Sequence, residues 1–177
     1  MTVRKEQELR GETTAIVARK MLLAARTAPK ACGIDNIECA LVDGADIEKL
    51  AEKMEELAKR LERPFFARDA QNLRNSECAV LIGTRISALG LDCGLCGFPA
   101  CADKNKNPAA PCFFNANDLG IAVGSAAGAA MDCRADNRVM YTIGRAAGEL
   151  GLLGPEIKIM LGIPLSASGK NPFFDRK

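Results

Sequence analysis

Apolar residues recur along this chain in distinct rhythms, each predicting a different element. Ile47, Leu50, Met54, Leu57 and Leu61 return at alternating steps of three and four, the spacing of one helix face. This predicts a helix over Ala45 to Leu61, with the pairs Glu55/Lys59 and Glu56/Arg60 one turn apart on its outer side. Glu8 to Thr27 carries a second helical pattern, with Ile16, Val17, Met21, Leu22 and Ala25 facing inward and Ala28-Pro29 as the stop. Short continuous apolar runs read as strands instead. Ile37 to Val42 is closed by Asp43-Gly44, Glu77 to Gly83 is a buried strand by length and content, and Ile157 to Ile163 makes a third.

Three further segments complete the pattern. Ala67 to Leu73 reads as a short helix. Asn117 to Met131 reads as a helix of small residues, whose glycines must be offset by close packing. Asp136 to Leu150 reads as an amphipathic helix, with Val139, Met140, Ile143, Ala147 and Leu150 inward and Asp136 as its cap. Between strand and helix, from about Leu91 to Phe114, lies a stretch rich in Gly, Pro, Asn and Lys that reads as an ordered loop wrapped on a ligand. The order α, β, α, β, loop, α, α, β predicts a single α+β domain over residues 1–177, with the loop of residues 91–114 inside it.

Composition narrows the partners. The 177 residues carry a formal net charge of +2, which argues against nucleic-acid binding by bulk electrostatics. The longest apolar stretch, Leu119 to Met131, is too short to span a bilayer, and the start Met1-Thr2-Val3-Arg4-Lys5-Glu6 lacks a signal-peptide core. The expectation is a cytoplasmic protein without a membrane partner. Histidine is absent, so imidazole catalysis, histidine zinc sites and Rieske ligation are all excluded.

Eight cysteines in such a chain point to metal or redox chemistry rather than disulfides. Cys93, Cys96, Cys101 and Cys112 fall within twenty residues, a spacing at which thiolates converge on a metal or cluster. Gly94 relaxes the turn between the first two, and Gly97 lets the chain bend back toward Cys101. Only the first pair has the Cys-x-x-Cys form that structural zinc sites use twice, so the uneven gaps favour an iron–sulfur cluster over zinc. Thioredoxin-type chemistry needs fewer cysteines. Cys133 rivals Cys112 as fourth ligand, whereas Cys39 and Cys78 sit in apolar runs as small hydrophobes.

The run Cys93-Gly94-Leu95-Cys96-Gly97-Phe98-Pro99-Ala100-Cys101 is similar to the Cys-Gly-x-Cys-Gly-Tyr-Pro-x-Cys motif of small [4Fe-4S] domains. Those domains occur in the cluster-bearing subunit of Rnf-type electron-transport complexes and in corrinoid iron–sulfur proteins. The fourth ligand lies closer here than in those domains. The whole chain resembles a prokaryotic family described as ferredoxin-domain-containing, through Arg26-Thr27-Ala28-Pro29-Lys30, the Leu91-to-Cys101 loop, Asp118-Leu119-Gly120-Ile121-Ala122, Asp136-Asn137-Arg138 and Gly162-Ile163-Pro164. That resemblance implies a [4Fe-4S] protein. More distantly, Leu22 to Pro29, the strand–helix unit Ile37 to Leu61, Asp118 to Met131 and Ile157 to Pro164 resemble the flavin-dependent nitroreductases. This likeness implies an α+β homodimer built on a central helix. The FMN phosphate motif of that family leaves only Arg10 in a comparable region, with Lys170 and Arg176 as further cationic candidates near the end.

Three functions follow as expectations. The first is a redox protein passing single electrons between its [4Fe-4S] cluster and a partner protein. The second is an FMN-dependent reductase in which the cluster relays electrons. The third is a structural or sensory cluster whose binding free energy is folding free energy. Ser76, Ser87, Ser125, Ser166 and Ser168 have no histidine partners, and Asp118, Asp132 and Asp136 read as caps and surface charges before acid–base groups.

Overall fold

The computed structural model describes residues 3–174. Four strands form one antiparallel sheet: β1 (Ile37–Asp43), β2 (Cys78–Arg85), β3 (Asp136–Asn137) and β4 (Ile157–Ser166), in the order β1-β2-β4-β3. Six helices cover it: α1 (Glu6–Thr27), α2 (Ala45–Arg60), α3 (Phe65–Arg74), α4 (Cys101–Asn105), α5 (Phe113–Asp132) and α6 (Tyr141–Glu149).

Strand β2 organises the layers. Its residues from Cys78 to Thr84 are buried, and alternate side chains point to opposite faces. Ala79 and Leu81 join Leu50, Met54, Leu57, Phe66, Leu73 and Ile143, so α2, α3 and α6 cover one face. Cys78, Val80 and Ile82 join Ala18, Met21, Ala25, Ala122, Ala126 and Ala130, so α1 and α5 cover the other. The alanines of α1 and α5 let those two helices lie close to the sheet. The result is mixed helix and sheet, as the run of apolar strands predicts.

Several expectations give way. Ile16 is 52% exposed and Leu23 is 65% exposed, while Thr14 and Ala18 are buried. Met21 and Ala25 are buried as expected and Val17 and Leu22 are partly so, but Ile16 faces outward and the small residues Thr14 and Ala18 take inward places beside α5. The helix expected from Asp136 begins only at Tyr141. Asp136 and Asn137 instead form the edge strand β3, opposite Ser166 and Leu165. Asp136 therefore caps nothing; its Oδ1 accepts a hydrogen bond from Asn171 Nδ2 at 3.0 Å. Val139 and Leu150 are exposed rather than inward. Glu56 pairs with Arg60 at 3.5 Å, but Glu55 is held by Arg74 of α3 rather than by Lys59.

Two glycines fix how α6 meets the sheet. A Cβ at Gly144 would stand 1.9 Å from the Met160 carbonyl oxygen, and one at Gly162 would stand 2.1 Å from Ile143 Cγ2. At Gly144 helix and strand approach backbone to backbone, and at Gly162 the strand backbone meets a helix side chain, which only glycine permits.

Candidate metal centre

The segment leaving β2 is tied to α5 at its start. Asn115, in the first turn of α5, accepts a hydrogen bond on Oδ1 from the Ser87 backbone N–H at 2.7 Å. The Gly97 N–H then donates to the Gly94 carbonyl at 2.9 Å, closing a tight turn that carries Leu95 and Cys96. Gly94 and Gly97 have φ of +71° and +84°, the left-handed region that residues with a Cβ disfavour. Asp92 shares that region at φ +45°, which Asp tolerates better than most residues. Its Oδ1 accepts a hydrogen bond from the Cys101 N–H at 2.6 Å. Cys101 opens α4, and Cys112 stands at the N-cap of α5, where the helix presents its positive end.

Cys93, Cys96, Cys101 and Cys112 all line one small cavity. Leu89, Phe98 and Phe114 give it apolar walls, and Asp92 and Lys104 also border it. Cys112 is buried, Cys96 and Cys101 are half-buried, and Cys93 is exposed. The cavity thus runs from the surface at Cys93 to the end of α5. Among the described residues no three Cys, Asp or Glu side chains converge at single-ion distance; the cysteines frame a space rather than a point.

Two polar groups of this region have no partner among the described residues. Lys104 is only 3% exposed, and its ammonium makes no hydrogen bond or ion pair. Asn115 Nδ2 is buried without an acceptor. The hydropathy pattern did not single out Lys104, Asp92 or Asn115. One signal for Lys104 was present: it follows Cys101 by three residues, the spacing that shares a helix face once α4 forms.

The remaining cysteines lie apart. Cys133 sits at the C-cap of α5. The 20 residues of that helix separate it from Cys112 by roughly 30 Å at 1.5 Å per residue. Lys20 Nζ lies 3.8 Å from its Sγ. Burial pushes the Cys78 thiol up to about 12 and raises the half-buried Cys39 thiol as well. Cys32 is exposed in a 3₁₀ turn at φ +56°.

The cationic candidates for a flavin phosphate are elsewhere. Arg10 is paired with Glu6 one turn away at 2.7 Å; Lys30, not one of those candidates, donates from Nζ to the carbonyls of Ala25 and Ala28 at the end of α1. Neither borders the cysteine cavity, nor does Lys170. Arg176 lies outside the described residues. Asp118 is buried and accepts the Ala31 N–H at 3.1 Å, and Ser125 Oγ donates to the Ala24 carbonyl at 3.0 Å. Both polar groups thereby fasten α5 to α1 and the turn that follows it.

The fold is nitroreductase-like. A nitroreductase, CinD, from Lactococcus lactis, solved in complex with chloramphenicol, superposes with a TM-score of 0.62 at 14% identity, over 98% of this chain and 86% of that one. A nitroreductase with bound FMN from Desulfitobacterium hafniense gives 0.60 at 14% identity, over 88% and 78%. An uncharacterised protein of Archaeoglobus fulgidus is 42% identical over 179 residues, covering 97% of this chain and 96% of its own. A family model described as "Uncharacterized protein containing a ferredoxin domain (DUF2148)" matches residues 108–176, a stretch that includes Cys112. The chain belongs to this ferredoxin-domain family, and the family description points to redox chemistry.

Proposed function

We propose that the protein holds one [4Fe-4S] cluster at Cys93, Cys96, Cys101 and Cys112 and passes single electrons to or from a partner protein. The observation that carries this reading is the meeting of those four side chains on one cavity. The donor set fits the group. Each thiolate of such a cluster binds its own iron, so the sulfurs must frame a volume. A tetrahedral zinc would need all four within about 2.3 Å of one point.

A bound cluster supplies one-electron chemistry; the chain does the rest. The Gly94–Gly97 turn carries Cys96 to the cavity wall, and backbone N–H groups of such a turn tune the potential where they reach the sulfurs. Phe98 and Phe114 keep water from the inner side. Cys93 stays at the surface, and Leu91, Leu95 and Phe113, each within two residues of a cysteine of the set, are exposed. Exposed apolar groups beside an exposed ligand suit brief docking of a redox partner. In this reading residues 91–114 are the cluster-binding loop of one α+β domain.

The scaffold suggests a homodimer as well. The outer face of α5 carries Gly120, Ile121, Gly124, Gly128 and Met131, all exposed, and its glycines leave room for a second backbone. The protein is proposed to work in the cytoplasm; no helix among the described residues is long and apolar enough to cross a membrane.

The fold likeness favours a second reading, an FMN-dependent reductase with the cluster as relay. Anaerobic purification with iron, sulfide and flavin analysis decides between the two. About four irons and four sulfides per chain without flavin support the first. Stoichiometric FMN supports the second, and zinc without sulfide overturns both.

A further inference from the structure

Lys104 stands out as a cation whose side chain is almost wholly buried and which has no ion-pair partner among the described residues. It is 3% exposed, borders the cysteine cavity, and has no hydrogen-bond or ion-pair partner among the described residues. No nearby carboxylate pairs with it, although Asp92 borders the same cavity. Asp92 accepts the Cys101 N–H at 2.6 Å, and Asp103 is paired with Lys106 at 2.8 Å. The ammonium is not among the fully buried unpaired atoms, so the stem is buried while the tip keeps contact with solvent. A cation held this way at the wall favours an anionic occupant.

We infer that Lys104 is a positioning residue whose ammonium supplies the counter-charge to the anionic thiolate-ligated centre and thereby sets how readily that centre accepts an electron. The inference rests on the cluster reading above. Four thiolates outweigh the positive charge of an iron–sulfur core, so the loaded site is anionic. One electron arriving from a low-potential one-electron donor makes it more so, with no bond broken. A fixed positive charge at the cavity wall favours the reduced form, because the low dielectric inside strengthens the attraction. Short helix α4 holds the residue there: Cys101 starts it, and Lys104 follows one turn later. Ligand and counter-charge therefore share one rigid turn.

The test uses the full chain, isolated anaerobically as wild type and as Lys104→Gln, Lys104→Met and Lys104→Arg. Iron and acid-labile sulfide are measured first, then the reduced-to-oxidised ratio during a dithionite titration followed by visible absorbance and EPR. Lys104→Gln and Lys104→Met should lower that ratio at least tenfold at a fixed potential, equivalent to about 59 mV for one electron. Lys104→Arg should stay within about threefold of wild type. Loss of iron from the two neutral variants with retention in Lys104→Arg supports the same assignment. Full iron content with an unchanged ratio in the neutral variants overturns it, as does loss of iron from all three. Absence of sulfide from the wild type overturns the cluster reading and this inference together, which separates the two failures.

Discussion

Asp92 Oδ1 accepts the backbone N–H of Cys101 at 2.6 Å, across nine positions of sequence. The bond closes a ring that contains Cys93 and Cys96 and fixes the residue before Cys93 against Cys101. Asp92 also occupies the left-handed region, which an alanine adopts at a cost of roughly 1 kcal/mol. The lost bond adds about 1 kcal/mol, less than a buried charged acceptor would because the site is exposed. Asp92→Ala should therefore raise amide exchange of residues 93–101 by a factor of roughly 30. Asp92→Asn keeps an acceptor and the backbone preference and should change it less than threefold. Equal exchange in the two variants would show that this bond does not hold the loop.

Cys112 and Cys133 terminate the same helix at opposite ends, and only Cys112 borders the cavity. Cys112→Ala should strip iron and sulfide from the anaerobically isolated protein. Cys133→Ala should retain the wild-type content. The measurement is iron and acid-labile sulfide per chain; the reverse pattern would place the centre at the other end of α5.

The contrast between these two cysteines shows what the sequence could carry. Both remained candidates as fourth ligand because spacing alone does not say which way a helix runs from a loop. Helix α2 was legible because large apolar residues sit on one face only. Helix α1 was misjudged in part because its buried face includes Thr14 and Ala18 beside Met21 and Ala25, and small residues carry little hydropathy signal. The order β1-β2-β4-β3 turns on the β2–β4 pairing, which joins residues more than 70 positions apart, such as Val80 with Ile163, and no local pattern encodes it. Asp136 looked like a helix cap because Asp favours caps; edge pairing with Ser166 prevailed instead. Lys104 was invisible for a related reason. A lysine in a polar loop reads as solvated until the chain folds over it.

Close approach of α6 to β4 makes Gly144 intolerant of any side chain. An added Cβ would lie 1.9 Å from the Met160 carbonyl oxygen and 2.3 Å from its carbon, and backbone cannot swing aside as a side-chain tip can. Gly144→Ala should cost about 3 kcal/mol or more, the upper range for overpacking. Gly11→Ala, on the open face of α1 with nothing within 4 Å, should gain up to about 1 kcal/mol from helix propensity. Urea midpoints of the two variants check the contrast. A Gly144→Ala midpoint equal to wild type would mean that α6 sits farther from the sheet.

Burial raises the Cys78 thiol to about 12 from an ordinary value near 9. The folded value lies above the unfolded one, so this contribution to stability is complete below pH 9. It is lost as pH climbs toward 12, by roughly 4 kcal/mol in total. Iodoacetamide at pH 8 should modify exposed Cys32 and spare Cys78, as peptide mass mapping would read. Cys78→Ala should flatten the fall in unfolding free energy between pH 9 and 10.5. An unchanged slope in that variant would assign the alkaline loss to other groups.

The exposed glycines of α5 give the proposed dimer a sharp test. A Cβ at Gly124 meets nothing within 4 Å in the single chain. Gly124→Leu should therefore leave the monomer fold intact and raise helix propensity by up to about 1 kcal/mol. If two copies pack through this face, their backbones approach closely at the glycines, and a leucine there forces them apart. Light scattering should then report a dimer for wild type and a monomer for Gly124→Leu, with the melting temperature tracking the loss of the partner. A wild-type monomer would remove the dimer proposal. A variant that remains dimeric would move the interface to another surface, because no packing at Gly124 accommodates both a neighbouring backbone and the new side chain.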